Sequence, residues 1–317
     1  MEAIGLVSGA LGIIQFLMDN IPKEAEDSGT VVSIKVGLGD DNSSGMGGGI
    51  TSVYGFDVHN DYLGSSKSGS IKTSMSADFT IAQAFDDRQA EYISVAGSDD
   101  AVCISWVSVS QHDGSDGGAW TGDIGYQCGE SWYHGNQSPG HFKNPDGSAG
   151  DKYWPMCTWL DSDHTNGLKS GSLKFNVGAY GINAGDTVNN KQGCSSTIFS
   201  TDSGPIADVP AGKTTKRDLQ HRVRPAFTEN RLVVSKISNQ TADQLCSHPN
   251  SVGPDFIGSC GYFCDMATKT LSPLCSTLQQ DGCIQVTTNG TLTKRTSVAR
   301  RSVDLVHKSY GTIDHWG

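Results

Sequence analysis

Apolar and polar residues alternate with a period of two after residue 28. Ile34, Val36 and Leu38 take one side of the pattern and Ser33, Lys35 and Gly37 the other, the signature of a half-buried strand. Val102-Cys103-Ile104-Ser105-Trp106-Val107-Ser108-Val109 is apolar on both faces and reads as a central strand. Leu173 to Val177 reads as another. Asp113-Gly114, Asp116-Gly117, Asp146-Gly147 and Asn166-Gly167 supply turns between such runs. Helical patterns within this region are weak and confined to residues 77–84 and 86–92. Many short strands between glycine-rich turns predict a mainly β chain, with an antiparallel sandwich or jelly-roll-like domain over residues 28–205.

The two ends are patterned differently. Ala3 to Met18 contains no charge, and Pro22 closes the run, so residues 1–22 are expected to form a hydrophobic helix. At 1.5 Å per residue that run is about 24 Å long, slightly short of a bilayer core. Gly5, Ser8, Gly9 and Gly12 fall on one stripe of the wheel, with Leu6, Val7, Leu11, Ile13, Ile14, Leu17 and Met18 opposite. Small residues four apart let helix backbones approach closely. The helix is therefore expected to pack against its own domain, against copies of itself, or into membrane lipid. Residues 206–230, rich in proline and basic residues, read as a linker, followed by a cysteine-rich module over 231–317. Thr241-Ala242-Asp243-Gln244 has capping-box spacing and predicts a short helix through Cys246. Val298, Val303, Val306 and Tyr310 show partial helical periodicity across 297–310.

Cysteine placement bears on compartment. Cys103, Cys128, Cys157 and Cys194 lie in the first part of the chain, and Cys246, Cys260, Cys264, Cys275 and Cys283 lie in the last. Two groups separated by a cysteine-free span predict one disulfide framework per domain, with one cysteine left over in the second. The sequence does not select the connectivity. The disulfide candidates are Cys103, Cys128, Cys157, Cys194, Cys246, Cys264, Cys275 and Cys283. Sequons at Asn42, Asn239 and Asn289, and the dibasic pair Lys216-Arg217 in a polar segment, fit the same oxidising route and an extracellular or cell-surface location. No lysine or arginine precedes Lys23, unlike an ordinary signal peptide, so the hydrophobic N-terminus is expected to be retained.

The net charge of −11 is uneven. Residues 1–210 carry 10 basic and 26 acidic side chains, and residues 211–317 carry 13 and 8. An acidic front portion excludes recognition of a nucleic-acid backbone, which requires cations. The histidines are scattered, and neither a zinc-protease helix motif nor a nucleophile elbow is present. Asp161, Asp163 and Asn166 lack the order and distal glutamate of a calcium loop. The glycine run 45–49 lacks the Lys-Ser/Thr of a phosphate cradle. These patterns predict no cofactor, no metal and no enzyme. Five of the six tryptophans, at 106, 120, 132, 154 and 159, are interleaved with cysteines. They read as core, or as a glycan platform formed by Trp132, Tyr133, Tyr153 and Trp154.

The run Leu245-Cys246-Ser247-His248-Pro249-Asn250-Ser251-Val252-Gly253-Pro254-Asp255-Phe256, then Phe263-Cys264-Asp265-Met266 and the ending Ile313 to Gly317, resembles uncharacterised secreted cysteine-containing proteins of filamentous fungi. The resemblance covers the last 75 residues or so and implies secretion, but no activity. The expectation is a non-enzymatic extracellular or surface protein that assembles with copies of itself through its N-terminal helix. A membrane-inserting pore former and a glycan-binding, lectin-like module are the alternatives.

Overall fold

The computed structural model describes residues 29–39, 45–85, 87–143, 146, 148–210, 225–287, 290–298 and 301–317. The chain divides into two compact units, Met1–Asp218 and Leu219–Gly317. The predicted N-terminal helix, including Gly5, Leu6, Ser8, Gly9, Gly12, Ile13 and Leu17, lies outside the described residues. So do Asn42, Asn289 and the Lys216-Arg217 pair.

The described part of the first unit is almost wholly β, as the alternation predicts. Its strands are β1 (Thr30–Val36), β2 (Gly48–Phe56), β3 (Tyr62–Ser65), β4 (Gly69–Ile71), β5 (Ser76–Gln83), β6 (Tyr92–Gly97) and β7 (Val102–Ser110). There follow β8 (Gly118–Thr121), β9 (Trp132–Tyr133), β10 (Gly140–Lys143), β11 (Ala149–Tyr153), β12 (Cys157–Leu160), β13 (Ser172–Asn176) and β14 (Thr197–Ser200). Only two short α-helices interrupt them among the described residues of this unit, α1 (Asp123–Gln127) and α2 (Ala184–Asn189).

One continuous path of hydrogen-bonded strands runs β14-β13-β6-β2-β3-β5-β1-β7-β12-β9, with β4 beside β2 and β8 beside β7. Every pairing along it is antiparallel. The path bends at β3–β5, where only Gly64↔Gln83 and Ser65↔Ala82 pair. A Cβ at Gly64 would lie 2.0 Å from the Ala82 carbonyl oxygen, so only glycine permits this approach. The bend yields two layers around one core, a sandwich-like arrangement. Val32, Ile34 and Val36 of β1 and Ile104, Val107 and Val109 of β7 face Ile50, Val53, Ile93, Val95, Leu173 and Phe175 from the other layer. As predicted, residues 102–109 are central: β7 pairs with β1, β12 and β8. The weak helical pattern at 77–84 is a strand instead. There β5 alternates Phe79 and Ile81 inward with Ala77, Asp78, Thr80 and Ala82 left partly or fully exposed.

In the second unit β15 (Arg231–Ser235) leads into α3 (Ala242–Ser247), with β16 (Asp255–Ile257), β17 (Tyr262–Asp265) and β18 (Thr270–Pro273) next. Then come β19 (Ile284–Val286), β20 (Thr291–Val298), β21 (Arg301–Ser309) and β22 (Thr312–Trp316). The larger sheet is ordered β18-β17-β16-β15-β22. Here β15 runs parallel to both neighbours, so this unit is not purely antiparallel. Parallel neighbours require a crossover, which α3 supplies between β15 and β16. The cap reads as the sequence predicts, with Thr241 Oγ1 accepting the Gln244 N–H at 3.3 Å. The helical periodicity at 297–310 is overturned: the segment belongs to an antiparallel hairpin in which Val298 opposes Arg301. Its β-branched residues suit a pleated strand, and the cross-strand ladder outweighs an incomplete period of 3.6.

Candidate functional site

All eight predicted disulfide cysteines are paired: Cys103–Cys157, Cys128–Cys194, Cys246–Cys264 and Cys275–Cys283. Each bridge closes within one unit, and Cys260 is an exposed free thiol. Of the sequons, Asn239 is exposed in a turn.

The glycan platform read from the sequence is corrected by burial. Trp132 and Tyr133 are fully buried and Tyr153 is nearly so. A ring without an open face cannot stack on a sugar. Tyr126 packs edge-on against Trp132 at 4.7 Å, and His134 does so at 5.6 Å. Trp154 keeps partial exposure, with the Lys152 ammonium 5.7 Å from its ring. Alternation cannot separate these cases, because β9 and β12 are buried on both faces.

The exposed aromatics lie elsewhere, at the turn between β2 and β3. Asp57 organises this turn. Its Oδ1 accepts the N–H groups of His59 and Asp61, both at 2.9 Å, while its own N–H donates to the Asp61 carbonyl. Asn60 takes the left-handed conformation at φ 66°. Burial by itself would raise the Asp57 carboxyl. The Asp61 and His59 N–H groups and the Arg88 guanidinium outweigh it and hold the group below the usual carboxylate value. Arg88 Nη1 lies 2.9 Å from Asp57 Oδ2 and 3.7 Å from Asp61 Oδ2, and its guanidinium carbon lies 4.8 Å from the centroid of Phe85.

Backbone pairing brings Phe85 to the same place. The Ala84 N–H donates to the Leu63 carbonyl at 3.0 Å, extending the β3–β5 register one step and setting Phe85 abreast of Tyr62. Tyr62 packs edge-on against Phe56 at 5.9 Å. Val58, Tyr62 and Phe85 expose 66%, 54% and 47% of their surface, so this end of the sandwich presents apolar groups rimmed by both signs of charge. No sequence motif marks it. The available signal was the turn-forming run Asp57 to Asp61 followed by Tyr62.

Beneath the turn Lys174, on β13, is fully buried. Its ammonium donates to Asn60 Oδ1 at 2.5 Å and to the Ile206 carbonyl at 2.9 Å, and lies 3.7 Å from the Phe56 ring centroid. Burial pushes its pKa down to about 8, against the opposing charge of Asp208.

Other buried polar groups are structural. Asp123 at the start of α1 accepts hydrogen bonds from the Tyr153 hydroxyl and, at 3.2 Å, from the Met156 N–H. Burial raises its carboxyl to about 7. In the second unit Lys308 Nζ bridges Asp255 Oδ2 at 2.9 Å and Asp265 Oδ2 at 2.7 Å, and the Tyr310 hydroxyl donates to Asp255 at 2.7 Å. Burial alone would raise Asp265, but the Lys308 hydrogen bond and charge hold it below its ordinary value. Asp161 and Asp163 close their own loop: Asp161 accepts from Asn166, and Asp163 from Thr165. A cleft of about 370 Å³ opens where β4 and β5 part, lined by Ser65, Ser66, Lys67, Asp78, Phe79 and Thr80 among others.

Among the described residues no cluster of three or more His, Cys, Asp or Glu side chains is arranged to hold a metal ion, and no helix is long and apolar enough to cross a membrane. No family model, no curated protein and no solved structure matches the chain.

Proposed function

We propose that the chain is a non-enzymatic extracellular protein that assembles with copies of itself, and that the β2–β3 turn face joins the N-terminal segment as a contact surface. The carrying observation is the exposure of Val58 and Tyr62 at the β2–β3 turn and of Phe85 after β5, with Arg88 over Phe85 and 3.7 Å from Asp61. Tyrosine and arginine dominate association energetics where they become desolvated. A patch carrying both signs of charge is suited to face its own copy across a two-fold axis, each arginine meeting the other's acid. The closed disulfides in each unit support an oxidising compartment, and the resemblance to secreted fungal proteins points the same way.

The native mass of the full-length chain, beside versions lacking residues 1–21 or carrying Tyr62→Ala with Phe85→Ala, tests this. A defined oligomer is expected for the full chain, smaller or monomeric for both variants. A full-length monomer at all concentrations overturns the reading. Loss on truncation alone retains the N-terminal segment as the contact and removes the turn face from it. A second reading, carbohydrate binding by the same face, is favoured by the open rings of Tyr62 and Phe85 beside the Asp61 carboxylate. It predicts glycan-array signal that Tyr62→Ala abolishes without changing the native mass.

A further inference from the structure

Lys174 is placed for chemistry that an assembly role does not use. Its amine is fully buried, ringed by Phe56 and Tyr92, and faces a neutral side-chain amide, that of Asn60. The amide is held from its other end, since Asn60 Nδ2 donates to the Ala207 carbonyl at 2.7 Å. The segment carrying Ile206 and Ala207 covers the pair, with the Ile206 N–H reaching Ser94 Oγ at 3.4 Å. An amine withdrawn from water beside a carboxamide has lost the solvation that keeps it charged, while the amide, at a partly exposed turn, leaves a route by which ammonia can depart.

We propose that Lys174 and Asn60 condense to an intramolecular isopeptide bond joining β13 to the β2–β3 turn. The ammonium first gives a proton to solvent. The neutral Nζ attacks Asn60 Cγ, the Nζ–Cγ bond forms, and the Cγ–Nδ2 bond breaks. The second proton leaves Nζ for Nδ2, which departs as ammonia and takes up a proton from solvent. One ammonium and one primary amide thus give one secondary amide and one ammonium ion, with no oxidant or cofactor. The lowering of Lys174 to about 8 leaves roughly a tenth of the amine neutral at pH 7, enough for a slow reaction that occurs once per molecule.

The contrast with Lys308 makes the assignment specific. Lys308 sits between two carboxylates, Asp255 and Asp265, which are poor electrophiles. Lys174 touches a neutral amide and aromatic rings. The product would cross-link positions 114 residues apart and anchor the turn that presents Tyr62.

The intact mass of the full-length protein, purified folded, held at pH 8, then reduced and denatured, tests the proposal. The expected mass is below that of the sequence by one ammonia, and digestion yields a branched peptide containing both Asn60 and Lys174. Lys174→Arg should restore the full mass. Asn60→Asp, which sets a carboxylate against Lys174 as at Lys308, should likewise leave the chain at its full mass. Full mass with separate peptides after prolonged incubation overturns the proposal, as does a mass deficit without the branched peptide. The wild-type readout decides the matter even where a variant fails to fold.

Discussion

The two units solve the problem of stability differently. The first buries a continuous apolar core between two layers, with Val, Ile, Leu, Phe and Trp side chains fully removed from water, and its disulfides close long spans of 54 and 66 residues. The second has a small apolar cluster of Leu232, Ile257, Phe263, Ile284, Leu292 and Tyr310. It adds disulfides of short span, 18 and 8 residues, and buries ion pairs: Asp255 and Asp265 around Lys308, and Arg231 with Asp314 at 2.6 Å. Where apolar burial is plentiful, buried charged groups such as Lys174 and Asp123 sit within a larger apolar surround. Where it is scarce, charge pairs and covalent links hold the strands, and each such pair becomes a point of failure because its members cannot be solvated in the folded state.

The sharpest break of this comparison is Asp255→Ala. It removes the acceptor of the Tyr310 hydroxyl and of the Met266 N–H, which donates to Asp255 at 2.8 Å, and leaves Lys308 with Asp265. Unfolding of the second unit in urea should move by about 3–5 kcal/mol, while the transition of the first stays in place. A single common shift would mean that the units do not unfold independently.

Next come the disulfides. Replacing Cys103 and Cys157 with alanine releases a 54-residue span and should destabilise by about 4 kcal/mol. The Cys275 and Cys283 pair, spanning 8 residues, should cost about 2.5 kcal/mol. Equal losses measured by denaturant titration would show that chain entropy is not the controlling quantity.

Asp123 sharpens the picture of the apolar unit through pH. Its folded value of about 7 lies above the ordinary 3.8, because burial disfavours the charge. Below about pH 4 both folded and unfolded chains hold the proton. Between about 4 and 7 the unfolded chain ionises and the folded one does not, so stability falls as pH rises. Above 7 the penalty is complete. Asp123→Asn should flatten this slope and raise stability at pH 7.5 by about 4 kcal/mol, with little effect at pH 4. A variant that melts lower at pH 7.5 would show that the carboxylate is held by its donors instead.

The smallest effect on stability is expected at the turn face. Tyr62→Ala should change unfolding by under about 0.5 kcal/mol, as exposed positions do, yet reduce assembly measured by native mass. A large stability loss would make Tyr62 a core residue through Phe56.

The β character, the central place of residues 102–109, the cap at Thr241 and the cysteine grouping were all legible in the chain. Each is a local property: side-chain period, hydrogen bonding within one helical turn, or residue count. The misreadings share a cause. Residues 297–310 carry a helical spacing that a partner strand overrides, and for Trp132 and Tyr133 the choice between core and platform is made only when a second face covers them, in favour of core. The turn face escaped detection because Tyr62 and Phe85 are brought together by the β3–β5 register, and Lys174 reaches Asn60 across 114 positions. Alternation records that a residue points to one side of a strand, but not what lies on that side. By itself, then, the sequence determined strands, turns, one helix cap and which cysteines were available for bridging. Tertiary structure decided which cysteines met, which rings remained open to solvent and which charges were buried, because those outcomes depend on the packing of a second layer that no local pattern encodes.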